Sequence, residues 1–199
     1  MIKSVIPSPL PLLGNPYTLH LSNITNLFLM LLTILCIVLP NPVLGSARVA
    51  LIGDSLSAGI NSSNTDTECT YCKVGVGIDI LIKETLLHYR SVPTEGSIVI
   101  TVGTNDYYKG YSKEVYLDKL YSLVTILRTY NKEGLIILVV PNPTRQDVQL
   151  GVQSFVDSYN EVQELLPNVK VITPSKANTP DGIHYRSYKE YYSSIVGSL

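Results

Sequence analysis

Apolar and polar positions along the chain form blocks that predict strands and helices in alternation. Runs of consecutive apolar, often β-branched residues predict buried strands at 48–52, 71–76, 97–102, 135–140 and 169–172. Apolar residues at helical spacing predict helices at 78–89, 113–130, 149–166 and 187–196. The polar residues 61–68 predict a loop. This order predicts an α/β fold, a parallel five-stranded sheet with helices on both faces.

The segments that follow four of these strands are rich in polar residues and glycine. They are residues 53–55, Gly77, residues 103–106 and residues 181–184. Ligand sites of open parallel sheets lie beyond the carboxyl ends of the strands. We therefore expect these four segments to meet in one site.

The candidate nucleophile is Ser55, directly after the first strand. A serine hydroxyl needs a neighbouring base, usually a histidine that a carboxylate orients. His20 precedes the predicted domain and His88 lies inside a predicted helix, so only His184 falls at the carboxyl side of the sheet. Asp181 precedes it by three residues, a spacing that can place both side chains on the same side of one turn. We predict a Ser55–His184–Asp181 triad.

Hydrolysis through a tetrahedral intermediate also needs hydrogen-bond donors for the oxyanion. The backbone N–H of Ser55 is one candidate, because the residue opens a helix after a strand. Gly77 can bring a second N–H close, since it has no side chain, and Asn105 can supply a side-chain amide.

These motifs resemble the GDSL/SGNH hydrolase family, whose blocks are named for Ser, Gly, Asn and His. The first block is similar to residues 53–59, the third to 103–106 and the fifth to 181–184. Gly75 and Gly77 both fit the second block, and Gly77 is preferred because the family's glycine precedes the next helix. Over residues 48–199 the resemblance implies a flavodoxin-like three-layer α/β/α sandwich, the same triad and oxyanion donors, and no metal or organic cofactor.

The nature of the ester is less determined by the sequence. Tyr107, Tyr108 and Tyr185 follow the third and fifth blocks and are expected at the pocket mouth, either stacking on a sugar ring or packing their loops. We also expect Asp54 to contact the substrate. Arg145 follows the fourth strand and is expected on the same side of the sheet as the site. There it either binds a carboxylate or phosphate or faces solvent.

The domain is short for the family and leaves little room for a lid, which suits a small or polymer-borne ester. We predict a carbohydrate O-acetyl esterase or a short-chain acylesterase, with an acetylated glycan as one substrate class. Two alternatives stay open: a thioesterase or lysophospholipase with the same chemistry, and a glycan-binding module that keeps the fold without turnover.

Residues 27–39 form an apolar run without a charge. A secretory signal uses about 7–15 such residues, and a membrane-spanning helix about 20. Pro40 and Pro42 follow, then small residues at 45–47 that suit cleavage. We predict a signal peptide or membrane anchor at 1–47 and a hydrolase domain at 48–199, secreted or anchored outside the cytoplasm. A buried N-terminal helix is the alternative.

Composition narrows the list of partners. Lys and Arg number 15 against 16 Asp and Glu, and no basic run forms, so we expect no nucleic-acid partner. Cys69 and Cys72 lack the two further ligands that a zinc site needs, so we expect no metal. This pair closes a small disulfide loop or stays as free thiols.

Overall fold

A computed structural model of the chain describes residues 49–199, and the predicted N-terminal segment lies outside these residues. Five strands form one parallel sheet in the order β2-β1-β3-β4-β5. The strands are β1 Val49–Gly53, β2 Thr67–Cys72, β3 Ile98–Thr101, β4 Ile136–Val139 and β5 Val169–Ile172. The expected parallel five-stranded sheet is confirmed.

Six α-helices connect and follow these strands in the described part of the chain. They are α1 Ser55–Ser63, α2 Ile78–Leu87, α3 Lys113–Tyr130, α4 Gln146–Gln153, α5 Val156–Leu165 and α6 Tyr188–Val196. A short 3₁₀ turn, Tyr89–Ser91, follows α2. From residue 49 onward, no helix has both the length and the apolar character needed to cross a bilayer.

The sheet separates two apolar layers, because alternate strand residues point to opposite faces. Leu51 and Val99 pack with α1 and α6 on one face. Ile52 and Ile100 pack on the other face with α2, α3 and α5. Both layers are closed to solvent, and burying one such side chain fully contributes about 1.5–3 kcal/mol. The three-layer α/β/α sandwich that the resemblance implied is therefore present.

Two predicted elements differ from the structure. The second strand lies at Thr67–Cys72 rather than 71–76, and its first residues fall in the predicted loop. This strand is the sheet edge and pairs only with β1, so it does not need a continuous apolar run. The single helix predicted at 149–166 is two helices, because the chain leaves helical geometry at Phe155. Phe155 is buried there, stacked 4.0 Å from the ring of Tyr116.

Cys69 and Cys72 form a disulfide inside β2, which selects the disulfide loop over free thiols. The strand carries one extra residue at this point. Leu51 pairs with Cys69 and Ile52 pairs with Tyr71, so Thr70 bulges out of the ladder. The disulfide closes around this bulge.

Candidate active site

The turn between β1 and α1 presents Ser55 as the first residue of the helix. Asp54 caps this helix, and its Oδ1 accepts a hydrogen bond of 2.9 Å from the N–H of Leu56. Only glycine fits at position 53, because a Cβ there would overlap the carbonyl oxygen of Thr101. The turn therefore places the Ser55 hydroxyl at the carboxyl end of the sheet.

The structure brings Ser55, His184 and Asp181 together, as predicted from the sequence. The Oγ of Ser55 lies 2.9 Å from Nε2 of His184 across 129 residues of sequence. Nδ1 of the same imidazole lies 2.6 Å from Oδ2 of Asp181. With the proton on Nδ1 donated to Asp181, the lone pair of Nε2 faces the serine hydroxyl.

Asp181 is held as an ionised acceptor by several donors at once. Its Oδ1 accepts from the hydroxyl of Thr179 at 2.6 Å and from the N–H groups of Ile183 and His184, both at 3.0 Å. The Thr179 hydroxyl, then the His184 side chain, then these two N–H groups lower the pKa of Asp181 well below its usual range. The carboxylate therefore stays charged and fixes one orientation of the imidazole.

Three donors predicted for an oxyanion lie on neighbouring loops. Ser55 opens α1 and Gly77 is the N-cap of α2. Among residues 49–199, neither N–H has a hydrogen-bond acceptor, as is usual for the first turn of a helix. The Nδ2 of Asn105 donates to the carbonyl of Val76 at 3.0 Å, and its second hydrogen is free to donate elsewhere. Val76 precedes Gly77, so Asn105 and Gly77 are adjacent.

The expectation that Asp54 contacts the substrate is wrong, because its side chain is fully buried. Its Oδ1 accepts from the hydroxyl of Thr101 at 3.0 Å, and the same hydroxyl lies 2.7 Å from Oγ of Ser57. Thr101 also accepts from the N–H of Ser57 at 3.0 Å. Asp54 is thus a structural part of the Ser55 turn. No pattern in the sequence pointed to Thr101, since a threonine at the end of a strand is common and carries no signal of its own.

Tyr107 and Tyr108 lie on the loop after β3, as expected. The hydroxyl of Tyr107 accepts a hydrogen bond of 2.9 Å from Arg145, whose guanidinium lies 5.6 Å from the ring centre. Arg145 also donates to Asp147 at 2.8 Å, so its charge is already paired. Tyr108 packs edge-on against Tyr107 and leaves 69% of its surface exposed. Tyr108 is therefore the tyrosine most open to a ligand.

Tyr185, the third tyrosine expected at the pocket mouth, is held by two contacts. Its hydroxyl donates to the carbonyl of Ser175 at 2.6 Å, and its ring stacks on Tyr191 at 3.9 Å. Burial raises the pKa of Tyr185 to about 12. These contacts support the packing interpretation for this residue.

Other candidates do not join the site. His88 lies on the surface, 3.3 Å from a carboxylate oxygen of Glu84, as expected for a surface histidine. Between residues 49 and 199, no group of His, Cys, Asp and Glu side chains is arranged to hold a metal ion.

No protein-family sequence model matches the chain, and no curated protein matches it by sequence. Solved structures do match. A GDSL-like lipase from Bacteroides thetaiotaomicron has a TM-score of 0.58 at 14% identity, over 80% of this chain and 90% of that one.

Two further structural matches have carbohydrate-related descriptions. The C-terminal catalytic domain of peptidoglycan O-acetyltransferase A from Streptococcus pneumoniae, with a methylsulfonyl adduct, has a TM-score of 0.54 at 18% identity, over 75% of this chain and 92% of that one. A family two carbohydrate esterase from Clostridium thermocellum, in complex with cellohexaose, has a TM-score of 0.57 at 14% identity. That match covers 75% of this chain and 62% of the esterase.

The fold and the site together define a three-layer α/β protein with a Ser–His–Asp arrangement at the carboxyl end of a parallel sheet. The chain has the fold of the GDSL/SGNH hydrolases, and the resemblance of its motifs to that family is confirmed at the level of the fold.

The buried Asp54 gives a pH-dependent contribution to stability. Burial raises its pKa from 3.8 to about 6. The folded state then holds the proton more tightly than the unfolded state, so this contribution to stability falls as pH rises from about 4 to 6. Asp54→Asn has no such proton, so its free energy of unfolding relative to wild type should rise between pH 4 and 7, by about 2–3 kcal/mol.

Urea unfolding of both proteins at pH 4, 5, 6 and 7 measures this difference. Asp147→Asn is the control. The hydrogen bond from Arg145 lowers the pKa of that exposed carboxyl, so its contribution to stability changes below about pH 4 and stays nearly constant from pH 4 to 7. A difference between Asp54→Asn and wild type that does not change with pH would contradict the prediction.

Proposed function

We propose that this chain is a serine ester hydrolase of the GDSL/SGNH type. The observation that carries the proposal is the continuous hydrogen-bonded series from Ser55 through His184 to Asp181, with heavy-atom distances of 2.9 and 2.6 Å. The structural likeness to a lipase and an esterase supports ester chemistry. An acyl-transfer site needs a nucleophile, a base and an orienting group in this order.

The first half of the reaction forms an acyl-enzyme. The Oγ of Ser55 attacks the ester carbonyl carbon while Nε2 of His184 takes the hydroxyl proton, and the carbonyl oxygen becomes an oxyanion. The N–H groups of Ser55 and Gly77 and the side chain of Asn105 stabilise this charge. The intermediate then expels the alcohol, which takes the proton from His184, and the acyl group stays on Ser55.

The second half returns the enzyme to its starting state. His184 removes a proton from a water molecule as the water oxygen attacks the acyl carbon. Collapse of the new intermediate breaks the bond to Oγ, releases the carboxylic acid and returns the proton to Ser55. Asp181 remains ionised throughout and stabilises the imidazolium that forms in each half.

Replacing the nucleophile should abolish turnover. Ser55→Ala is expected to lower kcat for p-nitrophenyl acetate by at least about 10³-fold, because Ser55 supplies the one hydroxyl that contacts His184 among residues 49–199. Steady-state hydrolysis by the full chain measures this loss. Ser62→Ala is the matched control, since Ser62 lies on the same helix, is exposed and donates its hydroxyl to the carbonyl of Gly59. Equal hydrolysis by wild type and Ser55→Ala would rule out the enzyme and favour the glycan-binding module.

For the substrate, we propose a carbohydrate O-acetyl ester or another short-chain ester. His184 and Asp181 have side-chain exposures of 40% and 48%, so a substrate can approach from open solvent. Tyr108, three residues after Asn105, offers an exposed ring on which a sugar could stack. The likeness to a carbohydrate esterase and to a peptidoglycan O-acetyltransferase supports the same substrate class.

The tyrosine can be tested separately from the chemistry. Tyr108→Ala should raise KM for an acetylated oligosaccharide about 3- to 10-fold, the loss expected for one aromatic stack, and leave p-nitrophenyl acetate unaffected. Tyr121→Ala is the control, an exposed tyrosine on α3. Hydrolysis of long-chain phospholipids or acyl thioesters without any activity on acetyl esters would replace this proposal with the lysophospholipase or thioesterase alternative.

We also propose that the domain works outside the cytoplasm, secreted or anchored through residues 1–47. The apolar run at 27–39 and the disulfide between Cys69 and Cys72 support this location, since disulfides persist in oxidising compartments. Cell fractionation combined with N-terminal sequencing of the mature chain should place it in the exported or membrane fraction. A full-length chain recovered only from the cytosol would contradict the proposal.

A further inference from the structure

Two consecutive residues of the loop after β3 hold both peptide groups of Gly77. Asn105 donates to the carbonyl of Val76, which belongs to the peptide that carries the Gly77 N–H. Asp106 accepts from the N–H of Ile78, in the next peptide, at 3.0 Å from Oδ2 and 3.2 Å from Oδ1. Because each peptide group is planar, fixing these two groups fixes the direction of the Gly77 N–H.

Asp106 is fully buried, and its only partner of opposite charge within the described chain is Lys109. The Nζ of Lys109 lies 3.1 Å from Oδ1 of Asp106. Burial raises the pKa of Asp106, and the hydrogen bond and charge of Lys109 oppose this effect. A buried carboxylate that lost its cation would be strongly destabilised, so Lys109 keeps Asp106 available as an ionised acceptor.

This ion pair packs directly on Gly77. A side chain at Gly77 would overlap Oδ1 of Asp106, and its Cβ would lie 2.8 Å from Nζ of Lys109. The pair therefore occupies the space beside the glycine, and a displacement of either group is transmitted to the start of α2. Gly77 has no side chain to hold it, so its position depends on the contacts that Asn105, Asp106 and Lys109 make with it and with its two neighbours.

We propose that Asp106 and Lys109 are positioning residues that hold the Gly77 N–H in place for the oxyanion. This inference rests on the proposed ester hydrolase function. Asp106 acts through the N–H of Ile78 and the packing against Gly77. Lys109 acts through Asp106. Neither residue touches the reacting atoms.

The test compares variants of the full chain with p-nitrophenyl acetate as substrate. Lys109→Met removes the ammonium group and keeps the side-chain length, Lys109→Arg restores a cation, and Asp106→Asn keeps one oxygen acceptor without the charge. Lys119→Met is the matched control. Lys109 and Lys119 form one charge cluster around Asp79, at 3.4 and 2.6 Å, and in this cluster Lys109 also contacts Asp106. Asn105→Ala is the reference for a lost oxyanion donor, expected to lower kcat by about 10²–10³-fold.

Two readouts separate positioning from a general loss of structure. Lys109→Met and Asp106→Asn should lower kcat by about 10- to 10²-fold with KM changed less than about twofold, the scale of a small misplacement in a site. Inactivation by a phosphonate ester, whose tetrahedral adduct places an oxygen in the oxyanion hole, should slow in parallel. Lys109→Arg should recover most of both rates, and Lys119→Met should match wild type. Thermal unfolding identifies the variants that are folded.

Folded Lys109→Met and Asp106→Asn proteins with kcat within about twofold of wild type would overturn the inference, given the 10²-fold scale of such effects. An equal loss in Lys119→Met would also overturn it, because the effect would then belong to the whole charge cluster. If Ser55→Ala hydrolyses the ester as fast as wild type, the proposed function itself fails. If hydrolysis depends on Ser55 but not on Lys109, the proposed function stands and only the positioning role fails.

Discussion

The parallel pairing of β1 with β3 is the constraint on which the site depends. Gly53 pairs with Thr101 in the ladder, and the N–H of Asp54 continues it by donating to the Thr101 carbonyl at 3.0 Å. The hydroxyl of Thr101 then joins Asp54 and Ser57. The Ser55 turn is thus bound to the end of β3 by backbone and side-chain contacts. The chain after β3 continues to Asn105, so the ends of this one pair of strands carry both the proposed nucleophile and a proposed oxyanion donor.

Three aspartates around the site have different tasks because their environments differ. Asp54 and Asp106 are fully buried, where an unpaired carboxylate is costly. Asp54 accepts hydrogen bonds from the N–H of Leu56 and the hydroxyl of Thr101. Asp106 accepts from the N–H of Ile78 and pairs with Lys109. Asp181 is half exposed and accepts four hydrogen bonds. The buried pair fixes the positions of Ser55 and Gly77, and the exposed residue orients His184. The buried carboxylates therefore hold the backbone at the starts of α1 and α2, and the exposed carboxylate holds a side chain.

The openness of the site determines how it can stabilise charge. His184 and Asp181 remain partly solvated, so exclusion of water contributes little at this end of the sheet. Preorganised donors become correspondingly more important, since they need no reorganisation during the reaction. At two helix starts, the N–H groups of Ser55 and Gly77 have no acceptor within residues 49–199 and fit this requirement, and Asn105 lies adjacent to Gly77. The same openness leaves Tyr108 accessible at the rim.

Much of this arrangement follows from the sequence alone. The apolar runs identified the buried strands, because a parallel sheet covered on both faces needs continuous apolar segments. The periodicity of α3 fixed its bounds, Lys113–Tyr130, since its buried face contacts one layer along its whole length. His184 could be selected because the other two histidines do not follow a strand. The apolar runs and the helix periodicity are local patterns, and the choice of His184 follows from the order of the strands.

Only the tertiary structure decided the roles of Asp54, Thr101, Asp106 and Lys109. Asp106 binds the N–H of Ile78, 28 residues away, and Thr101 binds Asp54, 47 residues away. Lys109 is only three residues from Asp106, but its role follows from the burial of that carboxylate against Gly77. The break at Phe155 and the early start of β2 were likewise set by core packing and by the edge position of the strand. A sequence pattern records which side chains are apolar. It does not record which buried polar group finds which partner, because that pairing exists only once the sheet has brought the loops together.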